Sequence, residues 1–235
     1  MVKKLALVTM LIIATFPLSV SSHRDDYLDE TFVFLTLQRM EFEPEYWFDY
    51  GYLRNQNQRF FRNNIAAEYG ITEHWMIDGR GTLQSGIGQN SFFSGGRIET
   101  RFRFGEENEM PVDMAASMEF SSVKEINEWH YALEPKLILS KDFSENTNFT
   151  LNLTEEISLH NHKGSFNAAA GFRQHITNIV RLGAEAKYDF EEKNGSLVPQ
   201  IWFAFAHDIT FITGFSKGFE NNKTNFVRGA FEVGF

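Results

Sequence analysis

Four charged residues fall on every second position between Arg97 and Arg103: Arg97, Glu99, Arg101 and Arg103. On a strand this spacing puts them in one row about 7 Å apart. Such a row does electrostatic work on a polar solute and no bond-making chemistry. A second row, Glu41, Glu43, Glu45 and Asp49, is its acidic counterpart. If the two rows faced each other across a channel, they would set up a transverse field that orients dipolar solutes. The same polar parity continues along the chain and gives the lumen-lining candidates Arg80, Arg97, Glu99, Arg101, Arg103, Glu134, Lys136, Arg181, Glu185, Lys187, Arg228 and Glu232. Most of these charges are expected to pair across strands.

Other chemistry is poorly supplied. The chain has 235 residues and no cysteine, which removes disulfides, zinc thiolates and thiol nucleophiles. His160-Asn161-His162 offers two imidazoles with no third ligand near in sequence, and reads as a solvated loop. Gly79, Gly81, Gly95 and Gly96 read as strand glycines that relieve curvature rather than a phosphate cradle. No catalytic, cofactor-binding or metal-ligating residue is assigned, and no cofactor is expected. A net charge of −9 argues against a nucleic-acid partner, which needs clustered Lys and Arg.

The elements that must position the charged rows are strands. From Glu41 to Phe235 apolar and polar residues alternate in runs of about ten, separated by turn residues, the repeated sign of a transmembrane β-barrel. The clearest runs set Phe42, Tyr46, Phe48, Tyr50 and Tyr52 against the acidic row, Ile98, Thr100, Phe102 and Phe104 against the arginine row, and Val180, Leu182, Ala184, Ala186 and Tyr188 against Arg181, Glu185 and Lys187. Twelve such runs are counted, the even number that a single-chain antiparallel up-and-down barrel requires. A soluble barrel or sandwich would have to hide twelve large apolar faces inside, more than a small core can hold. Pro44, Pro135 and Pro199 fall within runs, where bulges are expected.

Three segments follow. Residues 1–22 read as a secretory signal peptide: Lys3 and Lys4, an apolar run from Leu5 to Phe16 too short to span a bilayer, then small residues up to Ser22. Residues 23–40 depart from the alternation. Leu28, Phe32 and Leu35 at i, i+4 and i+7 suggest a short helix, periplasmic or plugging the lumen, although Thr31 to Leu37 is also rich enough in β-branched and aromatic residues to extend a strand. Residues 41–235 form the barrel. Connections after even-numbered runs are mostly shorter than the alternate set, which places both termini on the periplasmic side.

The last residues, Phe231-Glu232-Val233-Gly234-Phe235, with apolar residues at alternate positions and a terminal aromatic, resemble the C-terminal signal of Gram-negative outer-membrane β-barrel proteins. The resemblance covers the chain from about Glu41. It implies an outer-membrane location, lipid around the barrel, and assembly by the barrel assembly machinery through Phe235. Outer-membrane phospholipases in this class carry Ser, His and Asn on outward positions, whereas the strand histidines His130 and His175 fall on the inward parity. The expected function is therefore a passive, porin-like channel for small polar solutes and not an enzyme. A non-conducting barrel with a structural or adhesive role is the alternative, and a lipid-modifying enzyme the third reading.

Overall fold

The computed structural model describes residues 27–28, 31–54, 57–86, 91–125, 128–206, 209–221 and 224–234. The expected signal peptide and Phe235 lie outside the described residues. Twelve strands run in chain order: β1 (Phe42–Leu53), β2 (Gln58–Thr72), β3 (Trp75–Gly86), β4 (Phe92–Arg103), β5 (Asp113–Glu125), β6 (Glu128–Ser144), β7 (Thr147–Ser158), β8 (Gly164–His175), β9 (Val180–Asp189), β10 (Asn194–Ala206), β11 (Ile209–Glu220) and β12 (Thr224–Val233). Each pairs antiparallel with its sequence neighbours, and β1 pairs with β12 to close the barrel. Closure removes the free edges that would otherwise leave main-chain groups unsatisfied in lipid.

The period-2 alternation decides which side chains face lipid. Along β1, Phe42, Tyr46, Phe48, Tyr50 and Tyr52 are exposed, while Glu43, Glu45, Trp47 and Asp49 are buried. Along β4, Ile98 and Phe102 are exposed while Arg97, Glu99 and Arg101 are buried. A water-soluble barrel would place these faces the other way round. Exposed Phe, Tyr, Ile and Leu continue around the whole outer wall, as a membrane requires.

The prolines do not produce bulges. Pro44 pairs with Ala67, Pro135 with Met118 and Pro199 with Ala184, each within an unbroken register. Pro135 and Pro199 instead leave gaps on their other sides, where Leu133↔Ile157 and Lys136↔Thr154, and Leu197↔Lys217 and Gln200↔Gly214, keep the register on either side. Losing one N–H donor costs a rung but does not require an extra residue. True register shifts occur between Thr82 and Leu83 in mid-sheet and beside the turns at Gly70/Thr72, Asp142/Ser144 and Ala204/Ala206.

One end of the barrel carries the turns after β2, β4, β6, β8 and β10 together with the start of β1 and the end of β12; it is called the terminal end below, and the other the distal end. Three of the five terminal-end connections are two residues long, but the one after β4 spans residues 104–112.

Residues 27–41 form no helix in their described part. The segment runs irregularly through the lumen, with Tyr27, Leu28, Phe32, Val33, Phe34 and Leu37 all buried. It packs into two apolar clusters. Tyr27, Leu28 and Val33 meet Trp47, Val198, Trp202, Ile212 and Ala230, while Phe32 and Phe34 meet Ala115 and Ile138. The junction with β1 is a tight reversal in which Met40 adopts φ 67°. There the Met40 N–H donates to Gly70 O (2.8 Å) and the Gly70 N–H to Glu41 O (3.0 Å). A side chain at Gly70 would collide with the Gln38 carbonyl, so the reversal needs glycine at that point.

Candidate functional site: the lumen and its N-terminal plug

Inward residues build the site, and their cross-strand register arranges the charges. Glu43 sits opposite Glu68, Glu68 opposite Asp78, Asp78 opposite Glu99, Glu99 opposite Glu119 and Glu119 opposite Glu134. Six consecutive strands thus each contribute a carboxylate to one continuous band. At the gap in the β6–β7 ladder, the Leu133↔Ile157 pairing sets Glu156 beside Glu134 as the next step. The band climbs, because Glu43 is near the terminal end of β1 and Glu156 near the distal end of β7. Like charges directly opposite one another repel, so the band stands only where cations are interleaved with it.

They are. Arg97 reaches Asp78 on one side and Glu119 on the other, both at 3.3 Å. Glu99 takes Arg101 at 3.3 Å and Lys136 at 3.9 Å, and Glu45 takes Arg80 at 3.8 Å. Asp49 holds Arg228 in a two-point pair (2.6 and 2.9 Å) with Arg62 at 3.6 Å. The facing positive and negative walls expected from the sequence are therefore not formed. In strand order β1 and β4 lie three places apart, a quarter of the way round, and the acids of β1 meet bases within their own sector. Neutralisation is local because a buried charge without a partner costs several kcal/mol.

Each lumen-lining candidate has a definite place. Arg80, Arg97, Glu99, Arg101, Glu185, Arg228 and Glu232 are buried inside the wall. Glu134, Lys136 and Lys187 line a distal cavity of about 410 Å³ together with Glu119, Glu156 and Asp189. A neighbouring distal cavity of about 420 Å³ is bounded by Arg62, Arg80 and Arg97. Arg181 lines a terminal-end cavity of about 260 Å³ with Asp142, Arg173 and His175. Arg103 stands at the terminal rim, donating to Glu73 O (2.8 Å) and pairing with Glu106 (2.9 Å).

Between the two ends lies the plug, and the lumen holds it chiefly by its main chain. Asn152 Oδ1 accepts from Phe32 N–H at 2.7 Å and its Nδ2 donates to Phe32 O at 2.9 Å. Gln200 Oε1 accepts from Leu28 N–H and Arg228 Nη1 donates to Leu28 O, both at 2.7 Å. Glu185 accepts from the Thr31 N–H (3.1 Å) and hydroxyl (2.8 Å), and Arg101 Nη1 donates to the carbonyls of Val33 (3.2 Å) and Leu35 (3.4 Å). The ring of Phe32 also faces cations, with Lys136 Nζ 3.9 Å and the Arg101 guanidinium 4.2 Å from its centroid.

The energetic balance of docking is narrow. Burying the six apolar side chains of the segment contributes about 9–18 kcal/mol, and seven main-chain hydrogen bonds add about 7. Ordering the backbone of the nine described residues between 27 and 37 costs about 9–18 kcal/mol, and fixing their six buried apolar side chains about 3–6 more. The difference is a few kcal/mol, which is small enough for a ligand or a single substitution to reverse.

Sequence reasoning missed the inward aromatics that seat the plug. Trp47 and Trp202 are buried at inward parity, between Glu45 and Asp49 and beside Gln200. A large aromatic at a lumen position is itself the signal, since it has to pack against something. Another group was also missed: the carboxylates of Glu43, Glu45 and Glu68 bring oxygens within 4.8 Å of one another. Such oxygen donors suit a hard cation, and Arg80 is the cation placed beside Glu45.

His130 approaches His160 edge-on, with ring centroids 6.1 Å apart, at the distal rim, and His175 lies at the opposite end. Both share the parity of buried inward neighbours on their strands, so neither supplies a lipid-facing base.

No family model matches the sequence, and no characterised protein is found as a sequence relative. Solved structures do match. The KdgM porin in complex with disordered oligogalacturonate superposes with a TM-score of 0.63 at 5% identity, covering 82% of this chain and 99% of that one. The fold is that of outer-membrane barrels. The NanC porin gives 0.58 at 11% identity (81% and 97% covered), and the outer-membrane phospholipase A from Escherichia coli gives 0.52 at 9% identity (88% and 94% covered). One barrel architecture thus carries porins and an enzyme alike, so function has to be argued from the lumen.

Proposed function

We propose that the protein is a porin-like channel of the bacterial outer membrane for small polar solutes, closed in this state by residues 27–37. The observation that carries this reading is the charged lumen. Its carboxylate band and interleaved cations extend from the terminal to the distal end, with polar cavities on both sides of the plug. A lumen whose only task was to fill space would be cheaper in apolar residues, because burying ion pairs returns little stability. The porin neighbours agree with this reading at the level of fold. Both termini belong on the periplasmic side, since three of the five connections at their end are two residues long against one of six at the distal end, the connection 104–112 being the exception.

The test is single-channel recording on the mature chain in planar bilayers, beside a variant with Leu28→Asp and Phe32→Asp. The native chain should be mostly closed and the variant mostly open. Silence from both at every salt concentration would refute the channel. One observation favours a second reading: the plug is tied to five strands by seven main-chain hydrogen bonds. If those bonds never release, the barrel is a non-conducting structural element, and the same recordings decide it.

A further inference from the structure

We propose that the lumen is a binding site for a polypeptide segment read through its main chain, and that residues 27–37 are its resident, displaceable occupant. The geometry is that of peptide recognition by backbone. Leu28 and Phe32 each have both their N–H and their C=O engaged by lumen side chains. Thr31 is held through its N–H, and Val33 and Leu35 through their carbonyls. Contacts that depend on which residue the occupant presents are fewer: the hydroxyls of Thr31 to Glu185 (2.8 Å), Thr36 to Glu73 O (2.8 Å) and Tyr27 to Asn148 (3.4 Å), and the cations over the Phe32 ring. The groups come from β4, β7, β9, β10 and β12, so they surround the occupant instead of extending one sheet edge.

Side-chain selection is apolar and coarse. The indole of Trp202 meets the Tyr27 ring edge-on at 5.7 Å, and Val198, Ile212 and Ala230 complete that pocket. Ala115 and Ile138 receive Phe32 and Phe34. Main-chain hydrogen bonds supply affinity and pockets for spaced side chains supply preference, as in other peptide-binding modes. The ligand class is therefore a peptide segment with aliphatic or aromatic residues spaced as in the plug, whose own sequence also carries Asp29 and Glu30. Inorganic ions lack the donors and acceptors that Asn152, Gln200 and Arg228 meet, and a polysaccharide, whose hydroxyls could meet them, lacks the side chains that fill the two apolar pockets.

The inference deepens the channel reading, because it names what the lumen accepts when its own segment leaves. The test is binding of a fluorescent synthetic peptide with the sequence of residues 27–37, followed by anisotropy on the mature, detergent-folded protein. The Leu28→Asp/Phe32→Asp variant should bind it saturably at one per barrel. The native chain should bind it at least about tenfold more weakly, since its tethered segment competes at high effective concentration. A peptide N-methylated at the amides of Leu28 and Phe32 should lose at least about tenfold in affinity. A peptide that exchanges one aliphatic residue type for another at Leu28 and Val33 should stay within about threefold. If the aspartates prevent folding, Leu28→Ala/Phe32→Ala carries the same expectations. No saturable binding to the loosened variants, or equal binding of the N-methylated peptide, overturns the proposal. A barrel that conducts but ignores the peptide refutes this inference and leaves the channel standing; peptide binding without conductance does the reverse.

Discussion

Asn152→Leu isolates the hold of the lumen on its plug. Asn152 sits inward on β7, 2% exposed, and its amide both accepts from and donates to the main chain of Phe32, itself 2% exposed. Leucine has the same branched heavy-atom skeleton as asparagine and leaves the pairing of this position with Ile138 and Ala169 intact. The barrel should therefore fold as before. The docked plug would bury one N–H and one C=O without partners, at about 1–3 kcal/mol each. New apolar contact between the leucine and Phe32 returns about 1 kcal/mol of that. The net loss of about 1–5 kcal/mol shifts the docked-to-released equilibrium by about 5- to 5,000-fold, enough to exhaust the few kcal/mol that hold the plug. Hydrogen exchange followed by mass spectrometry reads this directly: amides of 27–37 should exchange faster by that factor, while amides of β6 to β8 keep their wild-type rates. Unchanged exchange in the segment would show that Asn152 does not hold it. Equal acceleration in segment and strands would show that the plug is an inseparable part of the barrel core.

Ile98→Arg places a charge on the lipid-facing side of mid-β4, at a residue 58% exposed, and should cost about 2–4 kcal/mol of folding stability in bilayers; urea titration in vesicles that shows no loss would contradict the outward assignment. Arg101→Gln removes the donor to Val33 O and Leu35 O and the partner of Glu99, so open probability should rise before ion selectivity changes; an altered reversal potential with unchanged gating would refute that order. At the rim, the hydrogen bond to His74, aided by the charge of Arg103, holds the Glu106 carboxyl below its ordinary value of 4.5. A lowered folded pKa stabilises the 104–112 connection above that value and is lost as pH falls through the lowered one. A spin label at Asn108 should therefore become more mobile in acid, and pH-independent mobility would exclude the contact. Deleting Phe235 should reduce assembled barrel while export proceeds; normal levels of heat-modifiable barrel would remove its proposed role in assembly.

The parts of this architecture that depend on near neighbours in sequence could be read from it. Alternation along a single strand needs only the pleat, so Arg97, Glu99 and Arg101 could be assigned to one face without knowledge of any partner strand. What depends on register could not. Whether Glu99 meets Glu119 or a neutral residue is set by connection lengths and stagger across several strands, and no local pattern encodes it. The spacing of Leu28, Phe32 and Leu35 suited a helix, yet Asn152, Gln200 and Arg228 satisfy main-chain groups of Leu28 and Phe32 from outside and remove the need for a helical hydrogen-bond pattern. Trp47 and Trp202 carried the missing clue, because each interrupts a polar inward row. The proline expectation failed because a missing donor opens a gap in one ladder while the register on both sides continues.

Arg228 ties together parts of the chain that are far apart in time as well as in sequence. Its guanidinium on the last strand pairs with Asp49 on the first, 179 residues earlier, and reaches Leu28, 200 residues earlier. Every other strand can pair with a neighbour made just before it, but this network forms only when the ends of the chain meet. Loop-closure entropy makes that the slow encounter. The plug precedes β1 directly and lies behind the β1–β12 seam, so an order of events is built in: the segment must be inside, or be threaded in afterwards, for the seam arginine to complete its bonds. The ladder itself can zip either way, but a chain that closes empty leaves Arg228 and Asp49 bonded to each other and without the Leu28 carbonyl, so the state of Arg228 reports whether the interior is loaded. Refolding traces should therefore contain a late phase that depends on residue 228 and is missing from the early hairpins.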